Sequence, residues 1–144
     1  MILRSCTMGD LSLLEEWDAN GEMWVGDKQA WLAKRIDDGS YCMFIGGRTM
    51  FNGSQPQFII PVGWGGIKLE ADYSVLSWFI APAYRHSGNG IQLAELLAKM
   101  VDAPFKAKIN ANRPYSERIA IRLGMRPEGG LLETGEKWWV SFWQ

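Results

Sequence analysis

Histidine is nearly absent from this chain, His86 being the one residue of its kind, and cysteine is scarce, limited to Cys6 and Cys42. Two cysteines can pair only once, and a chain able to bury a core does not depend on that staple, so reduced thiols and a cytoplasmic location are expected. An excess of charge of one sign is also lacking: 15 Lys and Arg against 16 Asp and Glu leave a net charge of −1. No global positive field gathers nucleic acid or anionic membrane, and no local basic patch replaces it. Polar residues or glycines interrupt every apolar run before membrane-spanning length, and Met1 to Thr7 has no basic start leading into a long apolar stretch. Neither export by a signal peptide nor a membrane-embedded chain is expected.

What is present describes one self-sufficient core. At 144 residues with 47% apolar and 22% charged side chains, the composition is that of a globular protein, and two halves would each be too small to bury a core. A single domain over residues 1–144 is expected. Tryptophan is the oddity, at eight residues; such rings fill a core or line a cleft.

Period and punctuation order the elements. Residues 1 to 6 read as a strand; Thr7 caps a helix with Leu11, Leu14 and Trp17 on one face, stopped by Asn20 and Gly21. Asp27 caps a second helix carrying Trp31, Leu32 and Ile36, with Gly39 as a left-handed end cap. Ser40 to Gly47 and Gln57 to Leu69 read as an antiparallel pair around Asn52-Gly53, two residues that accept positive φ. Tyr73 to Ile80 is a strand ended by Ala81-Pro82. Ile91 to Val101 repeats Leu93, Leu97, Met100 and Val101 at helical spacing, Phe105 to Ala111 alternates as a half-exposed strand, and Pro114 and Gly124 bracket a fourth helix. The tail from Pro127 reads as two strands turning near Gly135. Its apolar residues occupy both faces: Trp138, Val140 and Phe142 on one, Trp139 and Trp143 on the other, so one face meets the core and the other lines an acceptor site or a homodimer contact.

Between a strand and a helix lies Arg85-His86-Ser87-Gly88-Asn89-Gly90. The free N–H groups and dipole of a helix start form a positive concavity, and glycines let a phosphate approach the backbone without Cβ obstruction. Arg85 adds a permanent cation and Ser87 a hydroxyl. His86, placed in the loop, is read as a contributor of N–H groups rather than as a base.

Ile80, Pro82, Arg85, Gly88, Gly90 and Leu93 follow the spacing VxPxxRxxGxG, and here the chain resembles the GCN5-related N-acetyltransferase (GNAT) family. Ser116, Arg118, Arg122, Leu123, Gly124 and Met125 are similar to a second family block, NxxSxRxxxKLGF, although Arg113 stands where the family has asparagine. Val62 to Gly66 resembles the family's third strand, its glycines marking a bulge or a close approach. The resemblance implies a mixed α/β fold: a mostly antiparallel sheet of six to seven strands with four helices, and a splayed parallel pair forming an acyl-CoA cleft.

It also implies acetyl-CoA as co-substrate, with a pantetheine arm along Trp78, Phe79 and Ile80. The pyrophosphate would sit on the amides of His86, Ser87, Gly88, Asn89, Gly90 and Ile91, with Asn112 in reach of the cofactor and no metal. The reaction implied is direct acetyl transfer to a primary amine of a small molecule or protein. The alternative is an inactive acyl-CoA binder or structural protein that keeps the fold, because Ala120 stands at the usual position of the acidic tyrosine and Ser74 at that of a basic glutamate. Tyr115 is then the candidate acid and Asp72, two residues before Ser74, the candidate base. The acceptor's determinants are expected in Gly46 to Gln57 and in the tail strands.

Overall fold

Alternation shapes the strand at the centre of the site. Phe105, Ala107 and Ile109 are buried while Lys106, Lys108 and Asn110 are not, as period-2 geometry requires of a strand covered on one face. The computed structural model describes residues 1–18, 26–102 and 104–141. Its strands are β1 (Ile2–Ser5), β2 (Tyr41–Asn52), β3 (Gln55–Leu69), β4 (Ser74–Ile80), β5 (Phe105–Asn110), β6 (Met125–Glu128) and β7 (Glu136–Ser141). They form one seven-stranded sheet in the order β1-β2-β3-β4-β5-β7-β6. Only β4 and β5 run parallel; the other pairs are antiparallel. Among the described residues there are four α-helices, α1 (Leu11–Trp17), α2 (Lys28–Asp37), α3 (Asn89–Lys99) and α4 (Pro114–Arg122), and α3 is the crossover that a parallel pair needs.

Apolar side chains divide between the two faces of the sheet. Leu93 and Leu97 of α3 and Ala120 of α4 pack with Leu76, Ile80, Ile109 and Trp139 on one face. Leu14 and Trp17 of α1 and Leu32 of α2 pack with Ile45, Trp64 and Phe79 on the other. Trp17, Trp64 and Trp139 are buried, whereas Trp31, Trp78 and Trp138 are half-buried.

At the N-terminus, the Thr7 N–H donates to Asp10 Oδ2 at 2.9 Å and the Asp10 N–H to the Thr7 carbonyl at 3.0 Å. These bonds close a single 3-10 turn ahead of α1. Arg4 of β1 forks onto the same carboxylate, Nη1 at 2.9 Å and Nη2 at 2.7 Å, which ties strand to turn. Asp27 caps α2 as expected, its Oδ1 accepting the Ala30 N–H at 3.1 Å. The expected stop of α1 at Asn20 and Gly21, and the outer tail residues Phe142 and Trp143, lie outside the described residues.

Three local readings change. α2 ends with Asp38 in extended backbone, φ −77 and ψ 109, and Gly39 is not among the positive-φ glycines; it sits in the turn closed by the Tyr41 N–H on the Asp38 carbonyl at 3.0 Å. The hairpin loop is Gly53-Ser54, because Asn52 already pairs with Gln55, and Gly53 alone takes positive φ, at 65°. β2 and β3 are longer than their apolar cores suggested, so the segment 46–57 continues the hairpin. The glycines around Trp64 do mark close approaches. A Cβ at Gly63 would strike the Phe79 carbonyl, one at Gly66 the Tyr41 hydroxyl, and one at Gly65 the Leu97 side chain. The register shift between Gly46 and Gly47 leaves Val62 as the extra residue of a bulge, and the Val62 carbonyl accepts the Ala81 N–H at 2.8 Å just past β4.

Gly63→Ala is expected to lower stability by about 1–3 kcal/mol, since the added methyl meets backbone that cannot step aside; the midpoint of urea denaturation reads it. Arg4 holds the Asp10 carboxyl below the ordinary carboxylate range, with burial opposing and the Thr7 N–H assisting. The contribution is therefore present above the unfolded value near ~4 and lost as pH falls through the lower folded value. Asp10→Asn should cost stability at neutral pH, and the gap from the wild type should narrow as denaturation is repeated at falling pH.

Candidate active site

β4 is held by β3 along its whole length, from Leu69↔Ser74 to Gly63↔Ile80, and β5 is held by β7 from Lys106 to Asn110. With each strand committed to its outer neighbour, the two meet only at Ser74↔Phe105 and Val75↔Lys106. Beyond Val75 they diverge, and the β5-facing edge of Leu76 to Ile80 is left without a strand partner. Backbone donors and acceptors on such an edge are available to an extended ligand arm.

The gap is a cavity of ≈ 370 Å³. On the α3/α4 side it is walled by Leu76, Trp78, Ala107, Ile109, Tyr115 and Ser116. On the α1/α2 side its walls are Trp31, Arg35, Trp64, Ser77, Phe79, Lys108, Asn110 and Glu136. Strand alternation assigns these sides, since Ala107 and Ile109 belong to the α3 core while Trp64 and Phe79 belong to the α2 core. The cleft therefore passes through the sheet.

A second cavity, ≈ 380 Å³, opens where β4 ends, between the 85–90 loop and α4. Ile80, Arg85, His86, Gly88, Gly90 and Ile91 line one side, and Tyr115, Arg118, Ile119 and Arg122 the other. Tyr115 borders both cavities. Gly88 is the residue before α3 and takes φ 83°, while the helix begins at Asn89, two residues earlier than its apolar period suggested. The Gln92 N–H closes on the Gly88 carbonyl at 3.2 Å, so the amides ahead of it, through Ile91, have no intrahelical acceptor. A Cβ at Gly90 would stand 2.6 Å from Ile119 Cδ1, so Ile119 would have to shift to admit one.

The loop is latched from inside. Asn89 is buried, and its Nδ2 donates to the Tyr84 carbonyl at 2.9 Å; Arg85 Nε donates to the Ile80 carbonyl at 2.8 Å. Arg85 thus fastens the loop to the end of β4 while its guanidinium carbon lies 5.4 Å from the Tyr115 ring centroid. His86 is the one described non-glycine residue with positive φ, 65°, a conformation that costs roughly 1–3 kcal/mol and persists where surrounding contacts impose it. Its ring meets Tyr115 edge-on, centroids 6.5 Å apart.

The predicted residues do not all converge. Trp78, Phe79, Ile80, Arg85, His86, Gly88, Gly90, Ile91 and Tyr115 line the two cavities. Ser87 is exposed and turns its hydroxyl back to the Arg85 carbonyl at 3.4 Å. Asn112 lines an adjoining hollow with Arg85, Asn110, Arg113 and Tyr115. Asp72 is apart: it is exposed in the turn between β3 and β4, where the Glu70 N–H bonds the Tyr73 carbonyl at 3.0 Å. The same-face argument needed a strand reaching back to Asp72, and β4 starts at Ser74. Asp72 lies before the Ser74↔Phe105 pair, at the closed end of the cleft. Ala120 is fully buried in the α3 core, one helical turn beyond Ser116, which lines the gap. Cys6 offers no nucleophile, because burial, with Asp10 nearby, pushes its thiol up to about 12.

Arg118 and Arg122 are cavity-lining cations that the sequence reading used only as pattern matches; their i, i+4 spacing beside a helix start was the available signal. Trp31 and Arg35 of α2, Lys108 of β5 and Glu136 of β7 come from three separate elements, and no local pattern joins them.

A strand edge opened by divergence, feeding a glycine-bearing helix start, is the architecture of the GNAT fold, and the chain has that fold. A chimera of spermidine N-acetyltransferase SpeG from Vibrio cholerae and hSSAT matches with a TM-score of 0.77 at 16% identity, over 98% of this chain and 95% of that one. A V. cholerae SpeG point mutant matches at TM-score 0.76 and 15% identity, covering 98% and 94%. A domain from Methanocaldococcus jannaschii DSM 2661 matches at 0.74 and 17%, covering 96% of each chain. No family model and no curated protein matches the sequence.

Asn89→Ala leaves the Tyr84 carbonyl unpaired in a part-buried site. It is expected to cost about 1–3 kcal/mol in chemical denaturation, with faster amide exchange concentrated in residues 84–91.

Proposed function

We propose that the protein is an acetyl-CoA-dependent N-acetyltransferase that passes an acetyl group directly to a primary amine within a ternary complex. The observation that carries this reading is the cleft through the sheet, whose open β4 edge leads straight into the loop and the start of α3. An extended pantetheine arm has backbone partners along Leu76 to Ile80, and a pyrophosphate has the amides of His86 to Ile91. Arg85, Arg118 and Arg122 add cations around the second cavity. The fit is steric as well as electrostatic: at Gly88 the position of a Cβ is open space, which a phosphate approaching the backbone can use. With the donor entering from the α3/α4 side, an amine approaching from the α1/α2 side meets the thioester in line, with no covalent intermediate on the protein.

Three groups would act at the reacting atoms. Backbone N–H groups near the end of β4 meet the developing oxyanion. Tyr115, at the junction of the cavities, donates a proton to the leaving thiolate. The proton acceptor is sought among cleft residues rather than at Asp72.

The non-catalytic alternative rests on Ala120, which removes the usual tyrosine. Two measurements separate the readings. Acetyl-CoA at about 100 times its Kd should add ~2.7 kcal/mol to stability as a thermal shift, and no shift with either CoA or acetyl-CoA would refute both binding roles. Tyr115→Phe should keep that shift and lower kcat by ~10²-fold or more. A shift with no thiol release for any amine selects the non-catalytic binder.

A further inference from the structure

The α1/α2 side of the cleft has a charge arrangement of its own. Arg35 lies with its guanidinium carbon 3.9 Å from the Trp31 ring centroid and 5.7 Å from that of Tyr41, and Trp31 meets Trp64 edge-on at 5.9 Å. A guanidinium stacked on aromatic faces keeps its planar fork of N–H donors oriented and loses less freedom on binding an oxyanion. Across the gap β5 presents Lys108, whose Nζ lies 5.2 Å from the Trp138 centroid. Among the described residues no carboxylate lies within ion-pair distance of either Arg35 or Lys108. The carboxylate bordering the cleft is Glu136, opposite Asn110 in the β5–β7 ladder, and the Thr134 hydroxyl donates to its Oε1 at 3.0 Å.

Arg35, Lys108 and, at the α4 end, Arg113 line the gap with one carboxylate, Glu136, and such a balance is complementary to a molecule with one ammonium and one anionic group. It opposes a polyamine, whose several ammoniums would face Arg35 and Lys108 with only Glu136 to answer them; like-charge juxtaposition is strongly discriminating in a confined site. The apolar wall of Trp31, Trp64 and Phe79 suits an uncharged side chain between the two ends.

Resting on the acetyltransferase reading above, we propose that the acceptor is a small amino-carboxylate of the amino-acid type. Its carboxylate is bound by Arg35 and Lys108, its amine is held at Glu136, and its apolar side chain lies on the tryptophan wall. The amine nitrogen forms the bond to the acetyl carbon and the carbon–sulfur bond breaks. Of the two ammonium protons lost, one leaves through Glu136 to solvent, while the thiolate gains one through Tyr115 and CoA departs as thiol.

The test uses acceptors matched except for the carboxylate: phenylalanine against phenethylamine, with spermidine as the polycation. Thiol release from acetyl-CoA should give phenylalanine at least about a tenfold advantage in kcat/KM over both other amines, the scale of a charge-assisted contact. Arg35→Gln should erase that advantage by raising KM for phenylalanine, with kcat and the affinity for CoA little changed. Because Arg35 also packs on Trp31, Lys108→Gln on the exposed strand face provides a second variant that leaves the core intact, and a smaller rise in KM is expected. Preference for phenethylamine or spermidine, or a preference that both variants leave unchanged, overturns the proposal. Thermal scans of the full chain with each amine, with and without CoA, decide the case where no turnover occurs. Stabilisation by phenylalanine alone sustains the acceptor class even if catalysis fails, and equal or absent stabilisation by all three refutes it.

Discussion

β4 and β5 share backbone hydrogen bonds at two register positions, Ser74↔Phe105 and Val75↔Lys106, and the site depends on how early that pairing stops. Each strand is bound along its outer edge, β4 to β3 and β5 to β7, so neither is unstable when they part. What the divergence leaves is an unpaired stretch of β4 backbone inside the protein, a costly arrangement unless something bonds to it. The same parting opens the sheet to both faces. On the proposed reading, a donor arm and an acceptor approach one carbon from opposite sides without sharing an entrance.

The strain and closeness elsewhere serve that gap. Gly63 lets the bulged β3 run against the Phe79 carbonyl, which keeps β4 anchored up to the point where the loop begins. Arg85 and Asn89 then fasten the loop to Ile80 and Tyr84, and those bonds hold His86 at φ 65°, an otherwise unfavourable conformation. The start of α3 thus borders the second cavity with its backbone already fixed, and on the proposed reading little ordering remains for an anion to supply.

Parts of this were legible in the chain. The order of elements followed from period and punctuation: alternation in Phe105 to Asn110, helical spacing from Leu93 to Leu97, Pro82 after a strand, Pro114 and Gly124 around a helix. The loop's place between β4 and α3 was legible because glycine at a helix start is a local signal. Local rules failed where a neighbour decided the outcome. Gly39 had the right residue type for a left-handed cap, but Asp38 is already extended and the chain turns toward β2 instead. Gly53-Ser54 replaced Asn52-Gly53 because pairing of Asn52 with Gln55 sets the loop. Asp72 was assigned by extrapolating a strand two residues past its end.

By itself the sequence determined the elements, the covered faces and the glycine-bearing turn at Arg85 to Gly90, all of which depend on residues within a few positions of one another. Tertiary structure alone decided which side chains share the cleft. Arg35 from α2, Lys108 from β5, Tyr115 from α4 and Glu136 from β7 are separated by up to a hundred residues, and they meet because β4 and β5 part after Val75. No local pattern encodes a separation between strands; it results from each strand's competition for hydrogen bonds with its other neighbour.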